Sequence, residues 1–418
     1  MNNSYADIIS SDYTISVRNY FVLFLLWPFL AFLVAVRNFS HNEAKKVVYM
    51  FLIYYGFTFI NNNPAVDAYR YALSLKENAQ LPFSEFFNIV GGIYSTDTSV
   101  DIVEPLISFL VSRITDHHSI YFAVWAAIFG FFYLKSIALL HERYRKNPGW
   151  NAFILMFSFI MILPITSISG VRMWTAAWIF FYSAYHVIIY KDPRYLALSF
   201  ASALFHWSFI SANAILLIYF LAGNRNLIYA FLLVLSYLVP GLVQPYLQSI
   251  SLKLGAGIQT RFTNYSSEGY IMAVRESVEG SVWFMRLSGE LVFYYLIIAI
   301  VILRLRFWKD IKGKEESNLF SFLLLFLAFV NFGLGIPSFG ERFRILFVLF
   351  AILYLFIIYI KLPGEKISIL ILFGLLPMIL SSLISLRIGS ESINAWIFLP
   401  FLGSPVLAPG LSLSEMLF

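Results

Sequence analysis

Cysteine is absent from this 418-residue chain. That excludes a disulfide framework, thiol chemistry and any cysteine-based metal site. Charge is scarce too: 12% of residues are charged and 60% are hydrophobic. No soluble domain of this length needs so much apolar surface, so the solvent for most of the chain is lipid. No Walker loop, dinucleotide fingerprint or zinc spacing occurs, which argues against direct use of ATP. Residues 1–19 lack a basic n-region followed by a cleavage site, so no removable signal peptide is expected. What the chain has instead is a mean hydropathy of +0.77 and a pI near 9.2, with 44 Phe and 26 Tyr. The aromatics suit lipid-facing helices and interfacial belts. The net charge of +6 is not a nucleic-acid footprint, because the cations sit mainly in short loops, where they set orientation.

Taken together these features predict an all-α polytopic integral membrane protein. It would have about 10–12 transmembrane helices by the length rule, plus re-entrant or interfacial helices, in a single transmembrane domain over residues 1–418. Spanning candidates are 20–36, 47–61, 119–140, 150–166, 172–190, 227–245, 283–303, 319–336, 343–360 and 367–386. Three linkers are rich in Lys and Arg. They are 37–46 (Arg37, Lys45, Lys46), 141–149 (Arg143, Arg145, Lys146) and 304–314 (Arg304, Arg306, Lys309, Lys312, Lys314). All three are expected on the cytoplasmic side, with the N-terminus outside.

Residues 195–221 resist a simple count. Both flanks look cytoplasmic, with Lys191 and Arg194 before and Arg225 after. At 1.5 Å per residue the segment reaches roughly 40 Å, too short for two crossings. A re-entrant helical hairpin with His206 near its tip is favoured over a single span. Two outer segments are long. In 62–118, the apolar stretches 82–90 and 102–114 are too short to span and are read as interfacial or re-entrant helices. Segment 246–282 is polar, carries Arg261, and is expected to act as a lid. The tail beyond Arg387 is expected along the outer interface.

Several residues could carry chemistry. Arg172, Arg342 and Arg344 lie in or beside polar breaks that open apolar runs, on the face where cations are normally depleted. A guanidinium stays charged and grips phosphate oxygens two at a time. The trio therefore points to a lipid-linked phosphate or diphosphate; the ordinary reading is snorkelling to headgroups. Asp67, Tyr69 and Arg70 follow the second span, where acid, hydroxyl and cation could hold a sugar; a solvated loop is the alternative. Glu104 precedes Pro105 at a helix start and could take a proton from a sugar hydroxyl. For Asp101, helix capping is favoured. His206, inside an apolar run, is either a base or a hydrogen-bonded structural group. Arg286 and Glu290, four apart, read as an intrahelical ion pair.

These pieces resemble the EpsG-like branch of the Wzy-type polysaccharide polymerases. The matching features are Asp67-Ala-Tyr-Arg-Tyr after an early span, Glu104-Pro105 before a short apolar helix, Ser169-Gly-Val-Arg172 opening a helix, Phe205-His206-Trp-Ser, and Arg342-Phe-Arg344 late in the chain. The resemblance implies an outward-facing cavity and a place in the bacterial inner membrane, with the active site facing the periplasm. It also implies en bloc transfer: a glycan on undecaprenyl diphosphate moves onto a second lipid-linked repeat unit, and the diphosphate lipid leaves. Asp67, Glu104 and His206 are the expected catalytic residues. Arg70, Tyr69, Arg172, Arg342, Arg344 and Arg261 are the expected substrate- and diphosphate-binding residues. No metal or cofactor is expected. The expected partners are the lipid-linked oligosaccharide as donor and acceptor, membrane lipids and a chain-length regulator, and no nucleic acid. The product would be an O-antigen of lipopolysaccharide, a capsule or an exopolysaccharide. A multispan glycosyltransferase using a polyprenyl-phosphate sugar is the alternative, with a lipid-linked oligosaccharide flippase or transporter behind it.

Overall fold

The computed structural model describes residues 17–92, 101–238 and 283–417 apart from isolated positions within them, with a few residues between 267 and 272. The described residues are overwhelmingly helical, and the single isolated β-bridge joins Asn394 to Ser412. The protein is an all-α polytopic membrane protein, as the composition requires. Lipid offers no partner to free N–H and C=O groups, so each segment closes its own backbone bonds in a helix.

The first apolar run is broken. Helices α1 (Val17–Leu26) and α2 (Pro28–Arg37) meet at Trp27, because Pro28 has no N–H to continue the ladder. Helix α3 (Asn42–Phe57) returns and packs along α7 (His118–Tyr144). Gly56 lets the two backbones close, since a Cβ there would strike the Phe122 carbonyl and Ala126. The Phe39 ring meets His141 edge-on at 5.1 Å, so the two helices run antiparallel.

Among the described residues, five helical stretches are long and apolar enough to cross a membrane, and a sixth is the bent pair Glu365–Phe373 and Leu375–Gly389. The shorter helices fill in around them. One stretch, Trp150–Tyr190, has 41 residues. Straight, it would reach roughly 60 Å, twice the hydrocarbon core. It folds back instead. Helix α8 (Trp150–Ile162) ends at a 3-10 turn, Ile165–Gly170, and α9 (Val171–Tyr190) returns. Phe159 packs on Trp178 and Phe181 across the bend.

The three basic linkers lie at one end of the bundle. Arg143 pairs with Glu315 at 3.1 Å and donates to the Tyr185 hydroxyl, and Lys361 reaches Glu315 and Glu316 at 2.7 Å. These contacts gather the ends of α7, α9 and the helices Lys314–Gly333 and Pro337–Lys361.

Residues 194–222 form the expected hairpin. Helices α10 (Arg194–Phe205) and α11 (Phe209–Ala222) join at His206–Ser208. Tyr195 stacks on His186 at the basic end, and Tyr219 donates to the Asn318 carbonyl at the same end. The turn therefore lies away from the basic end, against the outer helices. Each arm is too short to span a ~30 Å core. Buried Ser199, Ser202 and Asn213 staple the arms, Asn213 reaching the Ser202 hydroxyl at 3.2 Å. Polar side chains are suited to holding helices together where lipid provides no hydrophobic drive.

In the outer segment, α4 (Asp67–Gln80), α5 (Glu85–Gly92) and α6 (Val103–Ser112) are short helices. The proposed lid, 246–282, falls outside the described residues apart from a few positions. The C-terminal tail packs against the break between α1 and α2. The Trp27 indole donates to the Phe398 carbonyl at 2.8 Å, Phe401 N–H donates to the Leu26 carbonyl, and the Tyr54 hydroxyl donates to that of Leu402. The break before Pro28 leaves carbonyls without helical partners, and the tail satisfies them.

Candidate functional site

At the end opposite the basic linkers, the hairpin tip meets the outer helices. The 3-10 turn before α9 sets Arg172 in that helix's first turn, half-buried. Its Nη1 donates to Asp101 at 2.6 Å and its Nε to the Tyr71 hydroxyl at 2.7 Å. Asp101 is fully buried. Its second oxygen accepts from the Trp207 backbone N–H at 2.8 Å, and Ile102 N–H donates to the Leu204 carbonyl. One carboxylate thus ties α9, the hairpin tip and the approach to α6 into a single joint.

Glu104 lies one turn further on, also buried, and accepts from the Tyr121 hydroxyl at 2.9 Å. Burial pushes its carboxyl above the usual glutamate range; the Tyr121 hydrogen bond and the Arg172 charge pull the other way. Burial likewise pushes the Tyr71 phenol up to about 12. His206 ends α10, buried, with Nδ1 at 2.8 Å from the Ser208 hydroxyl. A charged guanidinium, two carboxyls and an imidazole therefore converge at the hairpin tip, where one can hold negative charge and another can accept a proton.

The structure assembles some of the expected site residues and separates others. Arg172, Glu104 and His206 are brought to one place. Asp67 and Arg70 pair with each other one turn apart at the start of α4, both partly exposed, and Tyr69 sits half-buried beside them. Arg344 pairs with Glu341 at 3.2 Å and lies over the Phe293 ring at 4.2 Å. Its Nη2 is buried with no partner among the described residues. Arg342 is half-buried. The two are separated by Phe343, which packs on Phe209 just past the hairpin tip. Arg261 falls outside the described residues. Arg286 and Glu290 form the expected pair at 3.1 Å.

Asp101 corrects the capping expectation. It precedes α6 without capping it and serves as the buried counter-charge of Arg172. Capping uses only backbone at the segment's own end, whereas the hairpin tip supplies a second N–H and α9 a full charge. Tyr71 and Tyr121 are further members that sequence reasoning passed over. For Tyr71 a signal existed: Ala68, Tyr71, Ala72 and Leu75 form the buried stripe of α4. Among the described residues no group of three or more His, Cys, Asp or Glu could hold a metal ion.

Beside this joint a cavity of about 580 Å³ is lined by Phe59, Val66, Leu163, Ser169, Trp174 and Ile345, and by residues of the C-terminal region. Val66 leads into the helix that carries Tyr71, and Ser169 and Trp174 flank Arg172 in sequence.

The model of the EpsG family matches residues 66–397 of the chain. That range takes in each of the elements that meet at the joint. No curated protein and no solved structure matches.

Proposed function

The chain belongs to the EpsG family, and from that premise we propose that it is a polysaccharide polymerase acting on lipid-linked repeat units. In the proposed reaction a hydroxyl of the acceptor glycan attacks the anomeric carbon of a donor glycan carried on undecaprenyl diphosphate. A new C–O glycosidic bond forms and the bond from that carbon to the diphosphate oxygen breaks. The acceptor proton passes to a protein base, and the diphosphate lipid departs with the bonding electrons.

The observation that carries the reading is the Arg172 joint. A guanidinium fixed by Asp101 and Tyr71 is preorganised, so it meets charge developing on a diphosphate without first reorienting. Its Nη2, which takes part in neither of these bonds, is the group assigned to that oxygen. Glu104 is the proposed base, because a carboxyl raised by burial is closer in proton affinity to the group it must serve. His206, hydrogen-bonded to Ser208, positions the hairpin tip. Arg342 and Arg344 are proposed to meet the second lipid carrier. Holding both carriers side by side supplies the proximity that the chemistry needs. The active end is assigned to the periplasmic side of the bacterial inner membrane, because the basic linkers occupy the other end.

The test is reconstitution. Purified protein in liposomes is given lipid-diphosphate-linked repeat unit alone, and the glycans are run on a gel. A ladder spaced by whole repeats, without nucleotide sugar or ATP, is expected. Addition of a single sugar only when a polyprenyl-phosphate sugar is supplied would replace the polymerase by a monosaccharide transferase.

A further inference from the structure

We propose that the cavity beside the joint is a subsite for the uncharged sugar portion of a glycan, walled on one side by the C-terminal tail. The proposal rests on the polymerase reading for its physiological ligand, but its chemistry stands on the cavity alone. The 3-10 turn Ile165–Gly170 presents Thr166, Ser167 and Ser169 to the cavity, and Ser385 faces it from the far side. These four hydroxyls have no side-chain hydrogen-bond partner among the described residues. Trp174 supplies an aromatic wall, its ring held against Gly170, where a Cβ would lie 2.7 Å from the indole.

That combination of free hydroxyls and a flat aromatic wall matches a sugar ring, which has a hydroxyl rim and apolar C–H faces. It does not match an anion. Among the described residues the carboxylates lining the cavity are Glu391 and Glu415, and no Lys or Arg lines it. The nearby Arg387 is engaged by Glu391 at 3.2 Å and by the Ser414 hydroxyl at 3.1 Å. The volume of about 580 Å³ lies inside the usual range of small-molecule sites. The division of labour follows: cationic groups at the joint for the diphosphate, neutral hydroxyls next door for the glycan.

The wall built by the tail is pinned. Leu413 N–H donates to the Ile393 carbonyl at 2.7 Å and Ser414 N–H to that of Ser390 at 3.1 Å. Glu415 accepts from the Ser412 N–H and hydroxyl at 2.7 and 2.8 Å. At Gly389 a Cβ would strike Thr166, so the tail's entry and the 3-10 turn stand in direct contact. The site is therefore assembled from two parts of the chain that join only in the folded state.

The experiment is calorimetric titration of the purified full-length protein. The glycan probe is the source cell's surface polysaccharide cut to one to three repeats. The anionic probe is inorganic pyrophosphate. The glycan fragments are expected to bind, and pyrophosphate is expected not to displace them. Ser385→Phe, which fills the cavity, should weaken binding more than tenfold, and the milder Ser167→Val should weaken it severalfold. Arg172→Lys should leave fragment binding within twofold while polymer is lost, which separates this subsite from the catalytic reading. Binding unchanged by both cavity variants in folded protein, no fragment binding, or displacement by pyrophosphate would each overturn the proposal. Fragment binding that survives in a protein forming no ladder would keep the subsite and remove the polymerase.

Discussion

Arg172 reaches Asp101 at 2.6 Å across 71 residues of sequence, joining the helix that follows the 3-10 turn to a carboxylate with no solvent exposure. The carboxylate is the more deeply buried partner, so removing the arginine leaves the costlier orphan. Arg172→Ala is expected to lower thermal stability in detergent more than Arg172→Ala/Asp101→Ala does relative to Asp101→Ala alone. The cycle should show a coupling on the order of 1–3 kcal/mol. Additive effects would mean that the pair does not hold the joint together.

Arg172→Lys keeps charge but loses the fork that serves Tyr71 and Asp101 together. Loss of one preorganised donor to a leaving oxygen costs about 100- to 1000-fold in rate. The repeat-unit ladder should shrink accordingly, with the protein still folded in the membrane. A ladder of normal length and rate would take Arg172 out of the chemistry.

Glu104 gives a pH prediction. Its raised affinity for a proton means the carboxylate form accumulates only above the pH at which an ordinary glutamate, near pKa ~4.3, has ionised. If the carboxylate is the base, turnover rises with pH through that displaced pKa, and the acid limb lies higher than for a free glutamate. Tyr121→Phe removes a hydrogen bond that lowers the pKa, so the limb should move to still higher pH. Glu104→Gln should abolish the limb together with activity. A limb unmoved in Tyr121→Phe would hand the proton to another group.

The absence of cysteine makes topology directly measurable. Single cysteines at Lys146, Arg194 and Arg225 should react with a membrane-impermeant maleimide from one side. Those at Asn62 and Glu391 should react from the other. The hairpin requires Arg194 and Arg225 to share a side, and labelling from opposite sides would restore a single span.

Gly56 is where α3 and α7 touch through backbone. Gly56→Val forces the helices apart, and overpacking of this kind costs about 1–3 kcal/mol. A drop in the detergent melting temperature without change of secondary structure is expected. An unchanged melting temperature would mean that the contact is not close in the folded protein.

Much of the plan was legible in the sequence because it follows from one-dimensional quantities. Runs of apolar length gave the helices around 118–144 and 338–361, and clusters of Lys and Arg placed three linkers at one end. The hairpin at 194–222 was legible for the same reason: its flanking charges match and its length is too small for two crossings. Arg172, Glu104 and His206 stood out as ionisable groups beside or within apolar surroundings, which is costly unless partnered. Asp101 was misread because its local context, an acid ahead of a short helix, is also what a cap looks like. Tyr71 was overlooked in favour of Tyr69, although the stripe from Ala68 to Leu75 would have chosen it. The tail's contacts could not be read, because they lie at a proline break some 371 residues away in sequence.

The sequence by itself determined that this chain lives in lipid, that it is helical, which end of the bundle carries the cations, and which family it joins. Each of these depends on transfer free energy or local pattern, which residues carry with them wherever they fold. The tertiary structure alone decided which charges neutralise each other. Asp101 meets Arg172, Glu341 meets Arg344, and the tail's serines face those of the 3-10 turn. Pairing in a low-dielectric interior is set by distance and burial, and those exist only once distant segments have packed.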